Sequence, residues 1–167
     1  RVELIPNTAG ALRRLRDAGF ALVIVTNQSG IARGLYREED FRAVQSRLEA
    51  VLRDQDVWFD GVYFCPHHPD YTGPCDCRKP GPGLYLRAAF ELGLDLRRSA
   101  YVGDRVKDVE PAGRFGGLGI LVQTGYGSTE AARAPAGVVV VRDLAAAAQI
   151  LIDWHPRRRP APDTEVQ

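Results

Sequence analysis

The chain predicts a doubly wound parallel α/β sheet, on three observations. Amphipathic helical stretches alternate with short apolar runs along its length. The apolar runs lack in–out alternation, as strands covered on both faces do. Small or polar residues follow those runs directly, as at Thr26-Asn27-Gln28-Ser29-Gly30 and at Gly103-Asp104, which is where such sheets keep their sites.

Residues 6–18 read as the first helix. Pro6 suits a first turn, Ala11, Leu12 and Leu15 share a face, and Gly19 stops it. Residues 20–25, Phe-Ala-Leu-Val-Ile-Val, form the first strand. Residues 37–54 make a second amphipathic helix with Phe41, Val44, Leu48, Val51 and Leu52 facing inward. A strand at 61–64 leads into a cysteine-bearing loop, and after Gly81-Pro82-Gly83 a helix spans 84–92 up to Gly93. The remaining pattern is strand 100–102, helix 109–115, strand 119–123, strand 138–141 and a closing helix 144–154. Residues 1–154 thus form one domain, with no insertion long enough for a large cap. Residues 155–167, where Arg157-Arg158-Arg159 sits among prolines, read as a flexible tail.

With 167 residues and 45% hydrophobic content, the chain can bury one proper core. Its formal net charge of +1 offers no global attraction to nucleic acid or to an anionic membrane. Its apolar runs are too short to span a bilayer. Nucleic acid and membranes are therefore not expected partners, and a monomer is expected.

All three cysteines and two of the three histidines fall between Cys65 and His68 or between Cys75 and Cys77. Cys65 with His67 and Cys75 with Cys77 supply three thiolates and an imidazole, a closed tetrahedral set for Zn²⁺. His68, one residue further on, is a sterically possible substitute for His67. An odd cysteine count disfavours a disulfide framework. Four protein ligands leave no open position, so the metal is expected to be structural. Thiols gathered as ligands point to a reducing compartment, the cytoplasm. The loop ends in Arg78 and Lys79.

Taken singly, the polar clusters have ordinary readings: Thr26 to Gly30 as a turn, Asp108 as a helix cap, Lys79 as a solvated cation. Together they form a phosphate site. The Thr26 hydroxyl donates to phosphoryl oxygens, Lys79 supplies a point charge, and Arg78 offers a fork for a second anionic group. Asp104, with Asp108 four residues on, supplies hard oxygen ligands for Mg²⁺.

At this point the chain resembles the haloacid dehalogenase (HAD) superfamily of phosphotransferases. Thr26-Asn27, Lys79 and Gly103-Asp104 with Asp108 look like its second, third and fourth motifs. The Cys-x-His…Cys-x-Cys-Arg-Lys-Pro loop resembles the zinc-containing branch that holds the heptose bisphosphate and histidinol phosphatases. The stretch Thr26-Asn27-Gln28-Ser29-Gly30-Ile31-Ala32-Arg33-Gly34 is similar to the heptose enzymes. The resemblance runs from about Glu3 to about Leu121 and favours His67 as the fourth zinc ligand. It implies that Thr26 and Lys79 stabilise the transferring phosphoryl group and that Asp104 holds Mg²⁺. Asp108 would orient Lys79 or a metal-bound water. Asn27, Gln28, Ser29, Arg78 and Arg105 would face a phosphorylated sugar.

The implied reaction is hydrolysis of the 7-phosphate of D-glycero-D-manno-heptose 1,7-bisphosphate through an aspartyl-phosphate, a step toward surface polysaccharide. Alternatives are a histidinol-phosphate phosphatase, or a non-catalytic zinc domain that binds a phosphorylated ligand. The family's first motif, an Asp-x-Asp-Gly-Thr loop carrying nucleophile and general acid/base, has no counterpart here. Its strand would be central, between the strands at 20–25 and 100–102. The chain opens on Arg1 and contains no Met. The expectation is a fragment that lacks its first strand, is inactive as written and is unstable alone.

Overall fold

The computed structural model describes residues 2–154 of the 167, so the expected tail at 155–167 lies outside the described residues. Helix α1 (Thr8–Asp17) follows a turn at Pro6, with Asn7 as a left-handed cap. It buries Ala9, Ala11 and Leu15. Strand β1 (Val23–Asn27) begins three residues later than expected and takes Thr26 and Asn27 into the strand itself. Residues 20–22 are apolar but lie outside the strand ladder: Leu22 donates its N–H to the Asp60 carboxylate at 2.7 Å and accepts from the Asp60 N–H at 2.8 Å. Helix α2 (Glu38–Arg53) buries Phe41 and Leu52, but Val44 is 59% exposed and not inward as expected. Phe41 instead packs on the ring of Phe64, 4.7 Å between centroids, and the inward stripe turns toward Leu48 and Leu52.

Strand β2 (Gly61–Cys65) pairs parallel with β1, placing Asn27 opposite Cys65. A short helix α3 (Pro69–Thr72) interrupts the cysteine loop, and α4 (Gly83–Leu92) follows. Strand β3 (Ala100–Gly103) leads into two short helices, α5 (Val106–Val109) and α6 (Pro111–Phe115), where one starting at 109 was expected. Pro111 cannot donate an N–H, and the helical path restarts there. Strand β4 (Leu118–Val122), helix α7 (Gly127–Glu130), strand β5 (Val139–Val141) and helix α8 (Leu144–Trp154) follow.

Among the described residues all strand pairs are parallel with helices around them, the expected α/β class, but they form two sheets, β1–β2 and β3–β4–β5. The core divides in the same way among the described residues: Ile120 and Val122 of β4 pack with Leu15, Leu22, Leu52 and Leu151, whereas Tyr63 and Cys65 of β2 pack with Leu84 and Ala88 of α4, against Val23 and Val25 of β1. Between β1 and β3 lies a cleft of about 920 Å³, walled by Val23 and Val25 on one side and by Ala100 and Val102 on the other. Every residue of β1 is therefore only partly buried, whereas β4, paired on both sides, is buried from Gly119 to Val122. No described helix is long and apolar enough to cross a membrane.

Candidate active site

Both sheets deliver polar residues at the carboxyl ends of their strands. At the end of β1 the Asn27 amide clamps the backbone of Lys79. Its Oδ1 accepts the Lys79 N–H at 2.9 Å and its Nδ2 donates to the Lys79 carbonyl at 3.1 Å. The Asn27 side chain thus fixes Lys79, whereas sequence had it facing substrate. Gln28 donates to the Thr26 hydroxyl at 3.0 Å and accepts from the Tyr36 hydroxyl at 2.8 Å. Tyr36 carried no sequence signal, yet it holds this loop, since its ring lies against Gly30. Ser29 lies in the same turn and its carbonyl accepts the Arg33 N–H at 3.2 Å.

The Lys79 ammonium reaches back across the cleft. It donates to the Val25 carbonyl at 2.6 Å and pairs with Asp108 Oδ1 at 2.8 Å, both side chains being nearly buried. The other Asp108 oxygen accepts the Arg105 N–H at 3.1 Å, closing the first turn of α5. A Cβ at Gly103 would collide with the Asp108 side chain, so glycine there permits this fold-back. Both Asp108 oxygens are thus engaged within the protein, one with Lys79 and one with the Arg105 N–H. Asp104, one residue past β3, accepts the Tyr126 N–H on Oδ2 at 2.9 Å. Its Oδ1 has no described protein partner.

Arg78 donates to the His67 carbonyl at 3.2 Å, tying the cation to the cysteine loop. Lys107, not singled out from sequence, sits in the same field. Burial and the neighbouring charges of Arg105, Arg78 and Lys79 hold its ammonium below its ordinary pKa, against the pull of Asp108. A concentration of cations at strand ends is an anion site. The alternation Arg105-Val106-Lys107 was the available signal.

The HAD-hydrolase-like family model matches residues 76–147. A D-glycero-beta-D-manno-heptose-1,7-bisphosphate 7-phosphatase of Yersinia pestis is 43% identical over 144 residues, covering 83% of this chain and 77% of its own. The chain belongs to this phosphatase family, within the HAD superfamily. The family member of Escherichia coli K12 is 44% identical over 129 residues, 74% of this chain and 68% of its own. In structure, a D,D-heptose 1,7-bisphosphate phosphatase from B. bronchiseptica, complexed with magnesium and phosphate, superposes with a TM-score of 0.82 at 37% identity. It covers 90% of this chain and 84% of its own.

The donor atoms fit the metals expected of this family. The Cys75 sulfur stands 3.5 and 3.6 Å from those of Cys77 and Cys65, near the ~3.8 Å edge of a tetrahedron with Zn–S bonds of ~2.3 Å, while Cys65 and Cys77 stand closer, at 2.9 Å. Burial, then the two neighbouring sulfurs, pushes Cys77 up to about 12, so a cation bound here would favour its thiolate. This triad can hold a metal. The His67 ring lies outside the triad, whose ligand atoms all fall within 4.8 Å of one another. His68 Nδ1 is taken by the Asp70 N–H at 3.3 Å. For Mg²⁺, the free Oδ1 of Asp104 is the hard oxygen that a phosphate and waters would complement.

Proposed function

We propose that this protein, in its active form, removes the 7-phosphate of D-glycero-D-manno-heptose 1,7-bisphosphate as a phosphomonoesterase. The observation that carries the reading is the Lys79 ammonium. It has three N–H donors, the Val25 carbonyl and Asp108 take two, and the third is left for a phosphoryl oxygen beside Thr26. Arg78 and Arg105 serve the second phosphate, while Asn27, Gln28 and Ser29 shape the loop against which the sugar lies. Mg²⁺ held by Asp104 would neutralise charge on the phosphoryl group as it transfers. Zn²⁺ held by Cys65, Cys75 and Cys77, with His67 turning in as fourth ligand, would fix the loop that presents Arg78 and Lys79. A reducing cytoplasm suits this thiol cluster, and the active species is a monomer.

The nucleophile is the remaining requirement. Among the described residues two acids line the cleft between the sheets, and both are engaged: Asp95 caps the Arg97 N–H and Asp108 holds Lys79. We infer that an extended segment bearing a carboxylate at the level of Thr26 and Gly103 completes the site between β1 and β3. The 167-residue chain alone is then inactive. The test is phosphate release from heptose 1,7-bisphosphate and from histidinol phosphate with Mg²⁺, by this chain and by a form extended upstream in its reading frame. Turnover by the short chain would overturn the inference about the nucleophile. A preference of the extended form for histidinol phosphate would overturn the substrate assignment and leave the family intact.

A further inference from the structure

The segment after β4 folds back over the Asp104 loop. The Tyr126 N–H binds Asp104 Oδ2 at 2.9 Å, and Glu130 Oε2 accepts the Val106 N–H at 3.0 Å. The approach is so close that a Cβ at Gly125, whose φ is +59°, would land on the Asp104 carboxylate. This clamp brings the Tyr126 ring under Arg105, whose Cζ lies 3.6 Å from the ring centroid. The Arg105 guanidinium makes no ion pair or hydrogen bond with another described side chain. The ring therefore occupies one face of the guanidinium and leaves its in-plane N–H donors open. Tyr126 itself is 58% exposed and adds little to the core. An exposed tyrosine under an otherwise unpaired arginine, locked by its backbone to the adjacent carboxylate, is a device for aiming that arginine.

We propose that Tyr126 is a positioning residue that sets specificity, presenting the Arg105 fork to the substrate's remote phosphate. The proposal rests on the bisphosphatase reading above. A free arginine side chain loses much rotamer freedom when it grips an anion, and a stacking surface removes part of that loss beforehand. Cation–π attraction also requires the ring and not its hydroxyl. Tyr126→Phe should therefore keep the effect and Tyr126→Leu should lose it.

The probe is heptose 1-phosphate, the reaction's product, which keeps the remote phosphate and has no 7-phosphate to lose. Calorimetric titration into the unaltered protein, Tyr126→Leu and Tyr126→Phe should give a Kd raised about three- to ten-fold for Leu and within two-fold for Phe. In the active enzyme the Leu variant's defect with the bisphosphate should fall on KM far more than on kcat. It should also be smaller with heptose 7-phosphate. A Leu variant that binds within two-fold of the unaltered protein would overturn the proposal, as would a Phe variant as weak as Leu. So would no measurable binding of heptose 1-phosphate by the unaltered protein. Failure of the phosphatase reading would show separately, as no phosphate released from the bisphosphate by the extended form.

Discussion

Replacing Asp108 with Asn tests the Lys79–Asp108 pair with little change of shape, since Asn can still accept the Arg105 N–H. The pair is 2.8 Å long, and its side chains are 11% and 12% exposed. At an effective dielectric of ~20 its Coulomb attraction is roughly 6 kcal/mol, much of it offset by the desolvation of both ions. Removing one partner of a buried pair costs about 3–5 kcal/mol, because the other charge is stranded. Here the Val25 carbonyl remains at 2.6 Å from the ammonium, so about 2–3 kcal/mol is expected. In a domain of this size that corresponds to a Tm lower by roughly 4–12 °C. Lys79→Met should cost a similar amount, and the double variant less than the sum, with a coupling of about 2 kcal/mol in urea denaturation. Inorganic phosphate should raise the Tm of Asp108→Asn more than that of the unaltered protein, since the anion replaces the lost carboxylate. A coupling below about 0.5 kcal/mol would refute the reasoning and place the pair in effectively solvated surroundings.

In the active enzyme, Asp104→Asn should abolish Mg²⁺-dependent turnover, by about a thousand-fold or more, with an unchanged circular dichroism spectrum. Lys79→Ala should fail to a similar degree, whereas Arg78→Ala should chiefly raise KM in steady-state kinetics. Elemental analysis should find one zinc per chain, and His67→Ala should lose it more readily than His68→Ala. Stripping the metal should weaken both substrate affinity and stability. Asp60 gives a pH prediction. Burial works to raise its pKa, but the Leu22 N–H and Arg16 outweigh that and hold it below the ordinary 3.8. A depressed carboxylate contributes stability fully above its unfolded value and loses it as pH falls through the folded value. Asp60→Asn should therefore be about 1–2 kcal/mol less stable at pH 7 in urea denaturation, and the two proteins should converge below pH 3.8.

The element pattern was legible because it is local: apolar runs, glycine stops and helical spacing all lie within a few residues. Boundaries slipped where a distant group intervened. Phe20 to Leu22 has the composition of a strand, yet Asp60 takes the Leu22 backbone, and pairing begins only at Val23. Val44 has the right spacing to be buried, but Phe41 leans on Phe64 and turns the stripe away. The site followed the same rule. Thr26, Lys79, Asp104 and the three cysteines stood out as residue types placed at or near strand ends, Thr26 and Cys65 within β1 and β2 themselves. The contacts made by Asn27, Tyr36 and Tyr126 did not, because only the fold creates them.

Lys79 shows how the two sheets become one site. Its backbone is held from β1 by Asn27, and the turn that carries it is held to the cysteine loop by Arg78 and the His67 carbonyl. Its ammonium then spans from the last apolar carbonyl of β1 to the acid that opens α5 after β3. Each anchor removes a degree of freedom from a side chain that is flexible by nature, and each comes from a different segment. In the proposed reaction, a lysine held this way would meet an incoming phosphoryl group with its remaining donor already directed, so that little reorganisation would accompany transfer. With Zn²⁺ bound as proposed, the cysteine triad would matter to catalysis for the same reason, without touching a substrate atom. Loosening it frees the segment that supplies both Arg78 and Lys79, and the phosphate then meets a mobile cation in place of a fixed one.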